Sequence, residues 1–240
     1  MNLIKLLILS TITISLIACK GAPTPDDTSN EVEEIQETTD EQTNEQEEPI
    51  EEEEVDLSSG ECPYSGAIAY TLNNPDSWPA EARTRIDEAM SEAVWYYNCY
   101  ADLSHNITVN YNTGVPTAEA NVDGWMTFGG NAYYQHVITA MHEIGHTMGV
   151  GYYPWTELTD GNRRWIGEEV KKFVESIPED QRANGAGNYI TADSTHFWPY
   201  GLNQRTEAED NRGNIHEWSL INHVRIVAAM QVDKQTFLRR

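Results

Sequence analysis

Hydrophobic positions along the chain change period several times. Leu6 to Ile17 is one unbroken apolar run behind a short basic start, Met1 to Lys5. From Lys20 to Glu61 apolar positions all but vanish. Ala67 to Leu72 then reads as a short strand, and Asn74-Pro75-Asp76 as a turn. Ile86, Ala89, Met90, Ala93, Val94 and Tyr97 recur at helical spacing, which predicts an amphipathic helix from Pro79 to Asn98. Asn106 to Tyr111 alternates around Ile107 and Val109 and predicts a strand. Gly114 to Ala120 reads as loop and Gly124 to Phe128 as a further strand, broken by Gly129-Gly130. Ala132 to Ala140 is apolar or aromatic with little charge, so the helix it leads into, with Asn131 as candidate cap, is expected to be buried. Trp165, Ile166, Val170, Phe173, Val174 and Ile177 place the apolar face of another helix, Arg164 to Ile177. A last helix is expected from Asn214 to Gln231.

Composition divides the chain into three. The apolar run has signal-peptide length and ends in Leu16-Ile17-Ala18-Cys19, which resembles the lipobox of bacterial lipoproteins. That resemblance implies a signal peptide over 1–18, lipidation of Cys19, and export to the cell surface or periplasmic face of a bacterial membrane. Residues 19–61 form an acidic tether. Lys20 to Glu61 holds 17 of the 39 acidic residues against one base, too charged and too poor in apolar surface to fold. Cys62 to Arg240 is then the folded domain, with 22 acids and 13 bases, a net of −9 (22 minus 13). The overall charge of −24 therefore describes mostly the tether, and an acidic domain without a basic cluster argues against a nucleic-acid partner. With Cys19 lipidated, Cys62 and Cys99 remain as one disulfide of an oxidising compartment, two free thiols being the alternative.

The chemistry concentrates in His142-Glu143-Ile144-Gly145-His146-Thr147-Met148-Gly149. Histidines four apart share one helical face, about one 5.4 Å turn apart, so two imidazoles can grip one zinc ion. Glu143, beside the first, can hold a zinc-bound water and take its proton as general base. A surface helix with two chance histidines is the competing reading. The apolar lead-in argues against it, because buried His and Glu side chains need partners.

Helix, strands and then an HExxH helix is the order of the upper half of a metzincin. From Ala67 to Gly151 the chain resembles a metzincin-related zinc metalloprotease, with His-Glu-x-x-His-x-x-Gly intact and Gly149 at the family glycine. The resemblance implies an α+β zincin domain with a small mixed sheet, an active-site helix and, here, a divergent and mostly helical C-terminal subdomain. It also implies Zn2+ as cofactor and hydrolysis of peptide bonds in a protein or peptide substrate; a monomer is expected. It stops at position 152, where the family's third His is replaced by Tyr152. His196 is the preferred third ligand. It opens His196-Phe197-Trp198-Pro199-Tyr200-Gly201-Leu202-Asn203, which resembles a block of uncharacterised secreted bacterial proteins that also carry HExxHxxG helices. Glu168 or Glu169, near the offset of the ligand Glu in thermolysin-like gluzincins, is the alternative, although both also fit the wet face of their helix.

Tyr200 is a candidate donor to the oxyanion of a tetrahedral intermediate, with core packing as the rival role. His136 is read as structural, and His216 and His223 as supporting or surface residues on the last helix. Met230 is the only Met after His196 and falls on that helix, so the Met-containing turn of metzincins is not assigned. Two other readings stand beside the peptidase. One is a glycan-binding or adhesive surface protein, drawing on seven Trp and twelve Tyr. The other is an inactive protease fold that keeps zinc for stability.

Overall fold

The computed structural model describes residues 62–182 and 187–240. The signal peptide over 1–18, the tether over 19–61 and the lipid attachment at Cys19 lie outside the described residues. Among those described, no helix is long and apolar enough to cross a membrane.

The fold is α+β. Strand β1 (Ala67–Leu72) leads through helix α1 (Ala80–Tyr100) into β2 (Ser104–Tyr111). The strands β1 and β2 pair in parallel, which requires a long crossover, and α1 is that crossover. Strands β3 (Ala118–Ala120) and β4 (Trp125–Phe128) complete a mixed sheet of order β1-β2-β4-β3. In that sheet β4 runs parallel to β2, and β3 is the antiparallel edge. The edge strand lies inside a stretch expected as loop. With Ala118 and Ala120 as its only apolar side chains, β3 gives almost no hydrophobic signal, and its ladder to β4 decides its conformation.

The sheet's inner face, Ile107, Val109, Met126 and Phe128, packs with Ile86, Met90, Ala93 and Tyr97 of α1. Cys62 and Cys99 are bonded, which fixes the domain's entry to the end of α1. One residue earlier, Asn98 serves β1 as a strand would: its side chain accepts from Ile68 N at 2.8 Å and donates to Ile68 O at 2.9 Å.

Helix α2 (Val137–Thr147) carries the HExxH motif through the centre of the molecule, with ten of its eleven residues buried. Its cap is His136, whose Nδ1 accepts from Ile138 N at 3.2 Å; Asn131 caps the preceding 3-10 turn instead. Beyond α2 lie helix α3 (Glu168–Ser176), the short hairpin of β5 (Thr191–Ala192) with β6 (Phe197–Trp198), and the long helix α4 (Glu217–Leu238).

Two boundaries differ most from the sequence expectation. Helix α3 starts at Glu168, not Arg164, and Ile166 is 48% exposed. Helix α4 runs seven residues past Gln231, to Leu238. The same residue accounts for both shifts. Asp233, in the last turns of α4, accepts from Glu169 N at 2.9 Å, Val170 N at 3.2 Å and Trp165 Nε1 at 2.9 Å. It is an N-cap supplied from 64 positions away (169 to 233). Gly167 occupies the cap position because any Cβ there would strike the Asp233 carboxylate. Glu168 and Glu169 face solvent, paired to Lys171 and Lys172.

The loops into α3 and α4 are one device built twice. Asp160 Oδ1 accepts from the amides of residues 162 and 164, and Asp210 Oδ1 from those of 212 and 214. Fifty residues apart (160 and 210), each hairpin is closed by the same outer bond, Ile166 N to Leu158 O and His216 N to Ala208 O.

Asp233→Ala is expected to destabilise the domain by about 2–3 kcal/mol, a lost cap plus a buried Trp N–H left unsatisfied. Glu168→Ala and Glu169→Ala, which remove only exposed ion pairs, should stay within about 0.5 kcal/mol of the parent. Urea unfolding curves of the three variants measure this directly, and equal midpoints would refute the cap.

Candidate metal centre

His142 and His146 leave α2 on one face and are nearly enclosed, at 7% and 1% exposure. Their outer nitrogens are occupied. His142 Nδ1 lies 2.8 Å from Gly201 O, and His146 Nδ1 lies 3.0 Å from Val150 O. A carbonyl can only accept, so each Nδ1 carries the proton and each neutral ring turns a lone-pair Nε2 inward. Those two Nε2 atoms stand 3.1 Å apart. Burial, then the neighbouring His146, holds the His142 pKa well below the ordinary range, and burial first of all brings His146 down to about 4. Neither ring is protonated near neutral pH, so no proton bridges the pair. Two acceptors at that distance repel unless a cation lies between them. Two zinc–nitrogen bonds of about 2.05 Å at a tetrahedral angle separate the nitrogens by about 3.3 Å, close to what is seen.

His196 completes the cluster: one nitrogen from each of His142, His146 and His196 lies within 4.8 Å of the others. It arrives from a separate segment, the turn of the β5–β6 hairpin. Asp193 makes that turn, its Oδ1 accepting from Thr195 N and His196 N, both at 2.7 Å. The same oxygen lies 3.7 Å from His196 Nδ1, so this ring too has an oxygen behind it. Trp155 Nε1 ties the turn down through Asp193 O at 2.7 Å. Each of the three rings thus has its Nδ1 facing an oxygen, the arrangement that fixes tautomer and orientation in metal-ligating histidines.

The end of α2 makes room for the hairpin. Gly149 and Gly151 have φ of +87° and +81°, and a Cβ on Gly151 would lie 2.8 Å from Thr195 O, one residue from His196. The helix's last carbonyls are capped from α4, Met148 O by Gln231 Nε2 and Gly149 O by the buried Lys234 Nζ at 2.9 Å. A cation at a helix C-terminus also offsets the negative end of its dipole.

Glu143, adjacent to His142, is 1% exposed. Its charge adds to burial and Asp123 in raising the pKa of Tyr152, the residue at the resemblance's third-ligand position. The Tyr152 hydroxyl donates to Ala120 O on the edge strand at 3.4 Å. Tyr200 is 2% exposed, and its hydroxyl donates to Gln181 O at 3.1 Å. Core contacts with Trp218 and Gln181 are the role its placement supports. Glu168 and Glu169 lie on the outer face of α3, outside the histidine cluster.

Sequence reasoning missed the partners behind the ligands. Gly201 and Val150 act through backbone carbonyls, which leave no residue signature. Asp193 had one: an Asp three residues before a His, across Ser-Thr, is an Asx-turn pattern. His223, 1% exposed on α4, was read only as one of several supporting histidines.

Histidines buried in neutral form make the metal-free domain acid-labile. The pKa values of His146 and His223 fall to about 4 by burial, against about 6.5 unfolded. Between these values the unfolded chain binds more protons, so stability is fully present above about pH 6.5 and is lost as pH falls toward 4. Thermal unfolding of chelator-treated protein at pH 7.5, 5.5 and 4.5 should show a falling Tm, and a flat profile would contradict the burial of these rings.

Comparison with protein-family models, curated proteins and solved structures yields no match.

Proposed function

We propose that this chain is an exported zinc-dependent metalloendopeptidase with a metzincin-like upper half, lipid-anchored through Cys19, in which His142, His146 and His196 hold the metal and Glu143 is the general base. One observation carries the reading: two neutral, lone-pair nitrogens opposed at 3.1 Å, each locked in that tautomer by a carbonyl behind it, with a third imidazole beside them. Three imidazole donors suit zinc, and three protein ligands with a fourth position open are the count of catalytic zinc sites rather than structural ones.

The zinc would supply Lewis acidity, bringing a bound water to a pKa near 7. The protein's own residues do the rest. His142 and His146 would hold the ion from one face of α2, and Glu143, on the same turn, would serve as the general base and then as the acid toward the leaving amine. Its near-complete burial strengthens that role, because a carboxylate shielded from solvent interacts more strongly with nearby charge. His196, on a hairpin and not on α2, makes the metal's position depend on two chain segments.

The glycan-binding reading draws on tryptophans of which only Trp125 and Trp198 are exposed. Trp78, Trp155 and Trp165 are buried, and Trp95 and Trp218 pack against the core, so the tryptophan count is chiefly a core property.

Glu143→Ala should keep one zinc per chain while hydrolysis in a proteome-derived peptide screen falls about 10²–10⁴-fold, the share of a general base. His196→Ala should weaken zinc binding by more than the roughly 10–100-fold of a supporting residue and abolish turnover, with Glu168→Ala and Glu169→Ala near wild type. Zinc titration and atomic-emission metal counts decide between the ligand sets. The reverse order would make the chain a gluzincin variant, and full activity without Glu143 would end the mechanism.

A further inference from the structure

His223 projects from the middle of α4 to the underside of the metal helix, and nothing in the peptidase chemistry above uses it. Its ring sits against Gly145, where a Cβ would come 3.7 Å from both Cε1 and Nε2, and stacks on Phe197 at 5.8 Å between centroids. Its Nδ1 lies 2.7 Å from Tyr200 O, and its Nε2 lies 3.0 Å from the Tyr97 hydroxyl. A carbonyl can only accept, so Nδ1, at the shorter distance, is the donor to Tyr200 O, while Nε2 lies between the Tyr97 hydroxyl and Met141 O, the latter at 3.1 Å. The same hydroxyl lies 3.1 Å from Met141 O, one residue before the first metal ligand.

The peptide held by His223 is the immediate neighbour of the one that orients His142. Tyr200 O accepts from His223, and the next carbonyl, Gly201 O, accepts from His142. The flanking backbone does not hold this shape by itself. Tyr200 and Leu202 have φ of +71° and +56°, a region that costs residues with a side chain about 1–3 kcal/mol each and persists only where surroundings impose it. Contacts from other segments help impose it here. Asn203 Nδ2 closes the loop onto Phe197 O at 2.9 Å, and His223 pins Tyr200 O. Gly201 itself has no room for a side chain, since a Cβ would strike Phe197 O.

We infer that His223 is a positioning residue for the metal centre: by donating from Nδ1 to Tyr200 O it fixes the 199–202 loop, and through Gly201 O it fixes the tautomer and aim of His142. The inference rests on the metal reading of the three histidines and adds the device that presents the first of them. The stack of His223 on Phe197, next in sequence to His196, extends the same support toward the third ligand. The floor of the site is thus an aromatic and hydrogen-bonded layer contributed by α1, α4 and the loop.

Two amide side chains separate this role from core packing. In His223→Asn the Nδ2 stands where the imidazole Nδ1 stood and keeps the donor to Tyr200 O, while the contact to Tyr97 is lost. In His223→Gln the amide reaches only the Nε2 end, keeping a partner for Tyr97 and losing the donor to Tyr200 O. Zinc affinity and the visible absorption of the cobalt(II)-loaded full-length protein are measured for both, with Tyr97→Phe as control and Tm recorded for each. The Asn variant and Tyr97→Phe are expected to lose Tm but keep wild-type zinc affinity and the wild-type cobalt bands. The Gln variant is expected to bind zinc about 10–100-fold more weakly, the usual cost of losing a partner behind a ligand, and to shift those bands. Equal losses in the Asn and Gln variants, or a Tyr97→Phe loss as large as that of Gln, would reduce His223 to packing and overturn the inference. Should the Gln variant fail to fold, zinc loss in the Asn variant overturns it and retention upholds it. A wild-type protein that takes up neither zinc nor cobalt would instead defeat the metal reading itself.

Discussion

The interaction on which the rest of the structure depends is the hydrogen bond from the Nδ1 of His142 and of His146 to the backbone carbonyl behind it. Without the carbonyls of Gly201 and Val150, His142 and His146 could rotate, exchange tautomers or protonate, and their Nε2 atoms would relax away from the 3.1 Å contact. A buried polar group needs a partner, and here carbonyls take the outer nitrogens of His142 and His146 and turn their Nε2 atoms toward one another. Much of the lower half exists to deliver those oxygens: the turn of Gly149 to Gly151 for His146, the 199–202 loop for His142, and Asp193 for His196.

Those deliveries converge on α4. Its last turns carry Gln231, Asp233 and Lys234 in close succession, and each terminates or starts another helix. Gln231 and Lys234 cap the carbonyls that end α2, while Asp233 caps the amides that open α3. The middle of the same helix supplies His223 to the loop that orients His142. Burying Lys234 and Asp233 is costly unless each is partnered, and besides the Trp165 indole on Asp233 their partners are backbone groups at helix ends, where the dipole favours the charge each one brings. One helix thereby helps fix the positions of two others through polar caps as well as through its apolar face.

Legibility in the sequence follows this division. Strand β1, helix α1 and strands β2 and β4 were readable within a few residues, because each buries one face and its apolar positions repeat at the matching period. The two α2 histidines were readable because a single helix sets their spacing. His196 could be singled out only by its setting among residues that pack tightly, since no periodicity links it to α2. The end of α4 was not readable. Val232 is exposed and Asp233, Lys234 and Gln235 are polar, so the apolar period stops at Gln231, although two of those polar residues are buried by tertiary partners. The same override hid the start of α3: Trp165 and Ile166 continue the period, but Asp233 sets the first amides to be capped and leaves Ile166 in solvent. Backbone carbonyls acting behind ligands carry no sequence signal at all.

Why α2 should be so deeply buried follows from the same constraint. Ordinary amphipathic helices keep a wet face, and a His on that face would remain hydrated and titrate near 6.5. Enclosing ten of eleven residues removes that option. The histidines then stay neutral to well below physiological pH, which is the form able to bind a metal, and burial is the first cause of the low pKa of each cluster histidine. Enclosure also demands partners for the polar atoms around the motif, and helices α1 and α4, a hairpin and an irregular loop supply them. This enclosure is what the proposed metal reading requires of α2, since neutral, fixed imidazoles are the form that can bind a metal.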